Sequence, residues 1–76
     1  MLIEVLLFGK LSEITGQSII KIICDNTENL IENLNNEFPE LKNHKFQISV
    51  NHNIVRSKID INEHDEIALL PPFSGG

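Results

Sequence analysis

The sequence closes on Leu70-Pro71-Pro72-Phe73-Ser74-Gly75-Gly76, and this end is the first place where chemistry could occur. Two terminal glycines carry no Cβ. They let a tail take any backbone conformation and leave the α-carboxylate open to attack. Read alone, the same glycines also suit a frayed chain end. A second candidate is Cys24, the single thiol. It has no histidine or glycine-rich turn beside it in sequence and reads as an ordinary strand-end cysteine. The three histidines, His44, His52 and His64, lack metal-ligand spacing and read as loop residues. Lys10 and Arg56 could meet acids on a partner, but read as solvated charges. Glu28, Glu32 and Glu37 read as the wet face of a helix.

Size and charge limit what such residues could serve. With 76 residues the chain forms one small domain. A domain of ~60 residues buries only about 60% of its unfolded surface, so the core is thin and an enclosed active-site cavity is not expected. The net charge is −5, from eleven acids and six scattered bases. Nucleic-acid binding would need a basic face; an acidic domain better suits a basic patch on a protein. A lone cysteine excludes an internal disulfide. No stretch reads as a signal peptide or a membrane span, so the cytoplasm is the expected compartment.

The elements that must carry the tail follow from periodicity. "MLIEVLLF" (1–8) and "SIIKIIC" (18–24) read as strands. They are joined by a loop bracketed by Gly9 and Gly16, with a helical turn through Leu11 and Ile14. Leu30, Leu34 and Phe38, with Ile31 alongside, give an amphipathic helix within 25–38. Thr27, or else Asp25, is expected to cap it, and Pro39 to end it. "KFQISVN" alternates as a half-buried strand, "HNIVRS" offers a short edge strand, and 61–70 reads as a turn and a last strand. The first and last strands are the most apolar and should be central. The order β-β-α-β-(β)-β predicts an α+β fold: a β-grasp, ubiquitin-like mixed sheet with one main helix on one face. The expected domain is 1–70, with a flexible tail at 71–76.

With that order and tail, the chain resembles the ThiS/MoaD sulfur carriers, and within them the MoaD-type small subunits of molybdopterin synthase. The likeness rests on "IEVLLFGKLSEITG", "SVN" at 49–51, "DEIALLPPFSGG" at 65–76, and the length. Terminal Gly-Gly alone is shared with ubiquitin, ThiS and Urm-type modifiers; the Pro-Pro-x-Ser approach is the more specific feature. The chain departs from the pattern at His64, where the family usually has glycine. A positive φ, borne at some cost, is therefore expected at His64.

The resemblance implies that Gly76 is the reactive residue. Its carboxylate would be adenylated by a MoeB-like, ubiquitin-activating-enzyme-like adenylyltransferase, converted to a thiocarboxylate with sulfur from a donor protein, and spent on a pterin precursor. The carrier would bind no cofactor itself and hold no metal; ATP would be used by the activating partner. The catalytic groups would lie on a MoaE-like large subunit, in a heterotetramer, so the chain is not expected to be an enzyme by itself. Pro71 and Pro72 favour an extended base, and Phe73, Ser74 and Gly75 would thread into the partner. Six extended residues reach about 20 Å at ~3.3 Å each. Strand parity adds a docking face. If Glu4 and Glu66 point to solvent, Leu6, Phe8, Ala68 and Leu70 form an exposed apolar patch beside the tail. Other readings are a carrier for thiazole or tRNA thiolation, and a ubiquitin-like binding module or modifier.

Overall fold

The computed structural model describes residues 1–72. β1 (Leu2–Leu7) and β2 (Ile19–Ile23) flank a short helix, α1 (Lys10–Thr15). The main helix α2 (Thr27–Glu37) is followed by a 3-10 helix (Pro39–Asn43), then β3 (Gln47–Val50), β4 (Asn53–Val55) and β5 (Ile67–Leu70). The five strands run in the order β2-β1-β5-β3-β4. β1 and β5 pair in parallel; every other pairing is antiparallel. This is the expected mixed sheet, with the first and last strands inside it.

One face of the sheet makes the core. Ile3, Val5 and Leu7 of β1, Ile20 and Ile22 of β2, and Ile67 and Leu69 of β5 are buried. Leu30 and Leu34 of α2 and Leu41 of the 3-10 helix close over them. Alternation with period two on the strands, against a four-residue step on the helix, is what brings these side chains together. Ile31 stands beside that stripe and stays exposed.

The helix cap differs from expectation. It is Asn26, whose Oδ1 accepts from the backbone N–H of Asn29 at 2.8 Å. Asn29 answers with its own Oδ1, accepting from the N–H of Asp25 at 3.1 Å. Thr27 and Asp25 are engaged elsewhere. The buried Thr27 Oγ1 accepts from the N–H of Ile59 at 3.1 Å, and Asp25 Oδ1 takes the terminal ammonium at 3.2 Å. A tertiary partner for the threonine hydroxyl outweighs its local propensity to cap. Pro39 opens the 3-10 helix directly after α2, as its effect on the preceding residue requires.

The left-handed backbone also falls elsewhere than expected. Among the described residues the non-glycine positions with positive φ are Asn51 (52°) and His52 (71°); His64 is not one of them. Val50 pairs with Asn53 across these two residues. They therefore form the two-residue loop of a hairpin whose strand twist favours positive φ at both centres, where glycine commonly takes the second place. The strain of a missing glycine sits at His52. Relief of ~1–2 kcal/mol of left-handed strain exceeds the ~0.5–1 kcal/mol entropic cost of glycine. His52→Gly should therefore stabilise the fold by roughly 0.5–1 kcal/mol, whereas His64→Gly should give no gain. Denaturant midpoints of the two variants check both expectations.

Candidate functional site

The described part of the tail begins where β5 ends. Parallel pairing sets Leu69 beside Leu7, and the N–H of Phe8 donates to the carbonyl of Leu69 at 3.2 Å. Two residues beyond the Leu7–Leu69 pair, Gly9 and Pro71 touch. A Cβ on Gly9 would lie 3.0 Å from Pro71 Cγ, and Gly9 has φ 58° and ψ −135°. Both facts call for glycine: the backbone conformation is unfavourable for side-chain-bearing residues, and the proline ring fills the space. α1 fixes the turn from behind. Ser12 Oγ donates to the carbonyl of Gly9 at 2.7 Å, and Leu11 is buried in the core. Pro71 is half-buried and Pro72 exposed. Phe73, Ser74, Gly75 and Gly76 lie outside the described residues.

Around this root the sheet's outer face is apolar. Leu6 pairs with Ala68, Ala68 with Ser49, and Leu70 with Gln47. Phe8 is 47% exposed, while Leu6 and Leu70 are half-buried. Glu4 and Glu66 face solvent as parity requires. Ala68 departs from the expected exposed patch, being only 8% exposed. Ala68 and Ser49 are short register partners side by side, and the longer Leu6 and Ile54 flank them across the sheet. The face is a shallow dish, with Ala68 and Ser49 as its floor and Leu6, Leu70 and Ile54 around it. Ile19, register partner of Leu6, and Ile54, register partner of Ser49, belong to this surface and went unmarked in the sequence. Applying parity to β2 and β4 would have found them.

The turn that feeds β5 is held by a polar network. Asp65 Oδ2 accepts from the N–H of Asn62 at 2.7 Å, and its Oδ1 from Asn51 Nδ2 at 3.0 Å. Asn51 Oδ1 accepts from the N–H of Glu66 at 2.9 Å, while its own N–H donates to the carbonyl of Glu66 at 2.8 Å. The asparagine of "SVN" and the aspartate of "DEI" thus clip the β3–β4 hairpin to the start of β5. The Asn62 N–H, then the Asn51 amide, hold the Asp65 carboxyl below its ordinary range.

Cys24 is buried in the core and remote from the root of the tail. Burial pushes its thiol up; the terminal ammonium opposes this and Asp25 adds to it. A buried, protonated thiol is a poor nucleophile. Among the described residues no group of three or more His, Cys, Asp or Glu side chains could hold a metal ion. No helix there is long and apolar enough to cross a membrane.

Residues 5–76 match the ThiS family. The chain is 35% identical to a molybdopterin synthase sulfur carrier subunit of Dictyostelium discoideum, covering 96% of this chain and 94% of that one. A solved complex of subunits 1 and 2 of molybdopterin-converting factor from Helicobacter pylori contains a chain 25% identical, with a TM-score of 0.74 and full coverage of both. SAMP1 from Haloferax volcanii shares the β-grasp fold at a TM-score of 0.81 and 22% identity, again over both whole chains.

The Asp65 network has a pH signature. Its folded pKa lies below the unfolded value, so its stabilisation is complete above the ordinary carboxylate range and is lost as pH falls through the lowered folded value. Asp65→Asn should therefore make the decline in stability shallower below about pH 4, and lower stability at neutral pH. Thermal melts of both proteins across the acid range check this.

Proposed function

The chain belongs to the ThiS family, and from that membership we propose that it is the sulfur-carrier subunit of a molybdopterin synthase. The observation that carries the reading is that the family match runs through Gly76, so it includes the terminal Gly-Gly. The near full-length identity to the Dictyostelium discoideum carrier subunit favours the molybdopterin branch over thiazole or tRNA thiolation.

In this reading the Gly76 carboxylate attacks the α-phosphorus of ATP on a MoeB-like adenylyltransferase, expels pyrophosphate and becomes an acyl-adenylate. Hydrosulfide released from a donor protein then attacks the acyl carbon, forming a C–S bond as the C–O bond to AMP breaks, and leaves a thiocarboxylate, anionic at neutral pH. That sulfur is transferred to a pterin precursor bound by a MoaE-like large subunit, and two deliveries make the dithiolene. ATP binds the activating partner, and the acid–base groups belong to the large subunit. This chain contributes position. The Gly9–Pro71 contact fixes where the tail leaves the sheet, and the dish around Ala68 receives the partner beside that point. Phe8 is already half covered, so burying its exposed half there would contribute about 1 kcal/mol. Pro72, Phe73, Ser74 and Gly75 supply the reach.

The test is intact mass after incubation with activating enzyme, ATP and a sulfur source. The parent should show one oxygen replaced by sulfur. Deleting Gly76, or adding one residue after it, should abolish that change while leaving the melting temperature unmoved. Cys24→Ser should load like the parent, at the cost of some packing stability. Normal loading of the extended chain would overturn the carrier reading. Loading that depends on Cys24 would make the thiol a relay.

A further inference from the structure

We infer that the β1–β2 half of the outer face is a self-association surface, which places two copies of this chain face to face and covers Leu6. The most exposed large apolar side chains gather there. Leu2 is 59% exposed, Ile23 66% and Ile19 49%, with Phe8 at the end of β1. The register sets them in cross-strand rows: Leu2 with Ile23, Glu4 with Lys21, Leu6 with Ile19. One row of opposite charge therefore lies between two apolar rows. Among the described residues no ion pair joins Glu4 to Lys21, so each charge is open to an outside partner.

This pattern is complementary to itself. Place a twofold axis along the strands, midway between β1 and β2. The rotation turns a second copy's face onto the first and exchanges left with right. Glu4 then meets Lys21 of the second copy, twice over by symmetry, and Leu2 and Leu6 meet Ile23 and Ile19. Such an isologous contact closes after two copies. A protein of another kind would have to present this charge order by coincidence, whereas a second copy presents it by construction. Two strands make a small interface beside the ~1,200–2,000 Å² of stable complexes, so the dimer is weak and concentration-dependent. Because Leu6 lies within it and Phe8 at its edge, self-association and docking of a partner on the dish exclude each other.

Charge exchange tests the geometry without any loading reaction. Sedimentation equilibrium of the parent from about 0.01 to 1 mM should show the average mass rising above the monomer, as expected of a weak interface. Glu4→Lys and Lys21→Glu should each weaken association at least tenfold, since each sets like charges opposite. Glu4→Lys is the sharper case, because it makes the chain less negative than −5 and overall repulsion alone would predict tighter association. An equimolar mixture of the two variants should associate like the parent, because the introduced lysine at position 4 then faces the introduced glutamate at position 21. Concentration-dependent amide shifts in the parent should cluster in 2–8 and 19–23. A parent that stays monomeric throughout overturns the inference. So do single variants that associate like the parent, a mixture that does not, or shifts centred elsewhere.

Discussion

The parallel pairing of β1 with β5 is the constraint on which the rest depends. It joins the first strand of the chain to the last and is the sole parallel pair in the sheet. Parallel strands need a crossover between them; here that crossover contains α1, β2, both later helices, β3 and β4. Side chains alternate with period two, so a slip of one residue would send Ile67 and Leu69 outward and Ala68 and Leu70 into the core. The same slip would move Pro71 off Gly9. Core, outer face and tail exit are therefore fixed by a single register.

What holds that register is local and polar. Contacts between such distant segments carry a large loop-closure cost, so β5 gains from being pinned at its start. Asn51 reads both backbone groups of Glu66 and binds Asp65, tying the sheet's outer hairpin to the entry of β5. The left-handed conformation at Asn51 suits this task, because asparagine tolerates it better than most residues. The strain at His52 is the companion cost of keeping the loop to two residues.

Much of this was legible in the sequence, and what was not has a common cause. The strands, the helix, the edge hairpin and the central place of β1 and β5 follow from apolar periodicity, which depends on neighbours along the chain. The family was legible from the Pro-Pro-Phe-Ser-Gly-Gly end and the "SVN" and "DEI" stretches. The misread features all turn on distant partners. Thr27 looked like a cap because its bond to Ile59 is invisible along the chain. His64 looked strained because the family usually has glycine there; its turn is held instead through Asp65 by the distant Asn51, and its φ is not positive. Ala68 looked exposed because parity gives a direction but not the height of its neighbours. Gly9 was readable as a turn residue; its contact with Pro71 required the sheet order.

The described residues provide an address rather than a reagent. The one thiol is buried with its pKa raised, and the one carboxyl with a clearly lowered pKa serves the Asn51 clip. What the fold builds with care is the exit point: a glycine where any side chain would strain the backbone and crowd Pro71, a proline ring against it, and an apolar dish alongside. A chain this small has one helix-covered face and must leave the other open. That open face is at once the proposed docking surface and the exposed apolar area that favours self-association. Placing Glu4 and Lys21 among Leu2, Leu6, Ile19 and Ile23 makes the outcome selective, because a partner must answer both charges to displace a second copy. On the proposed function, the sheet sets which contacts are allowed beside the tail, and the reactivity of the terminus is left to the protein that occupies the dish.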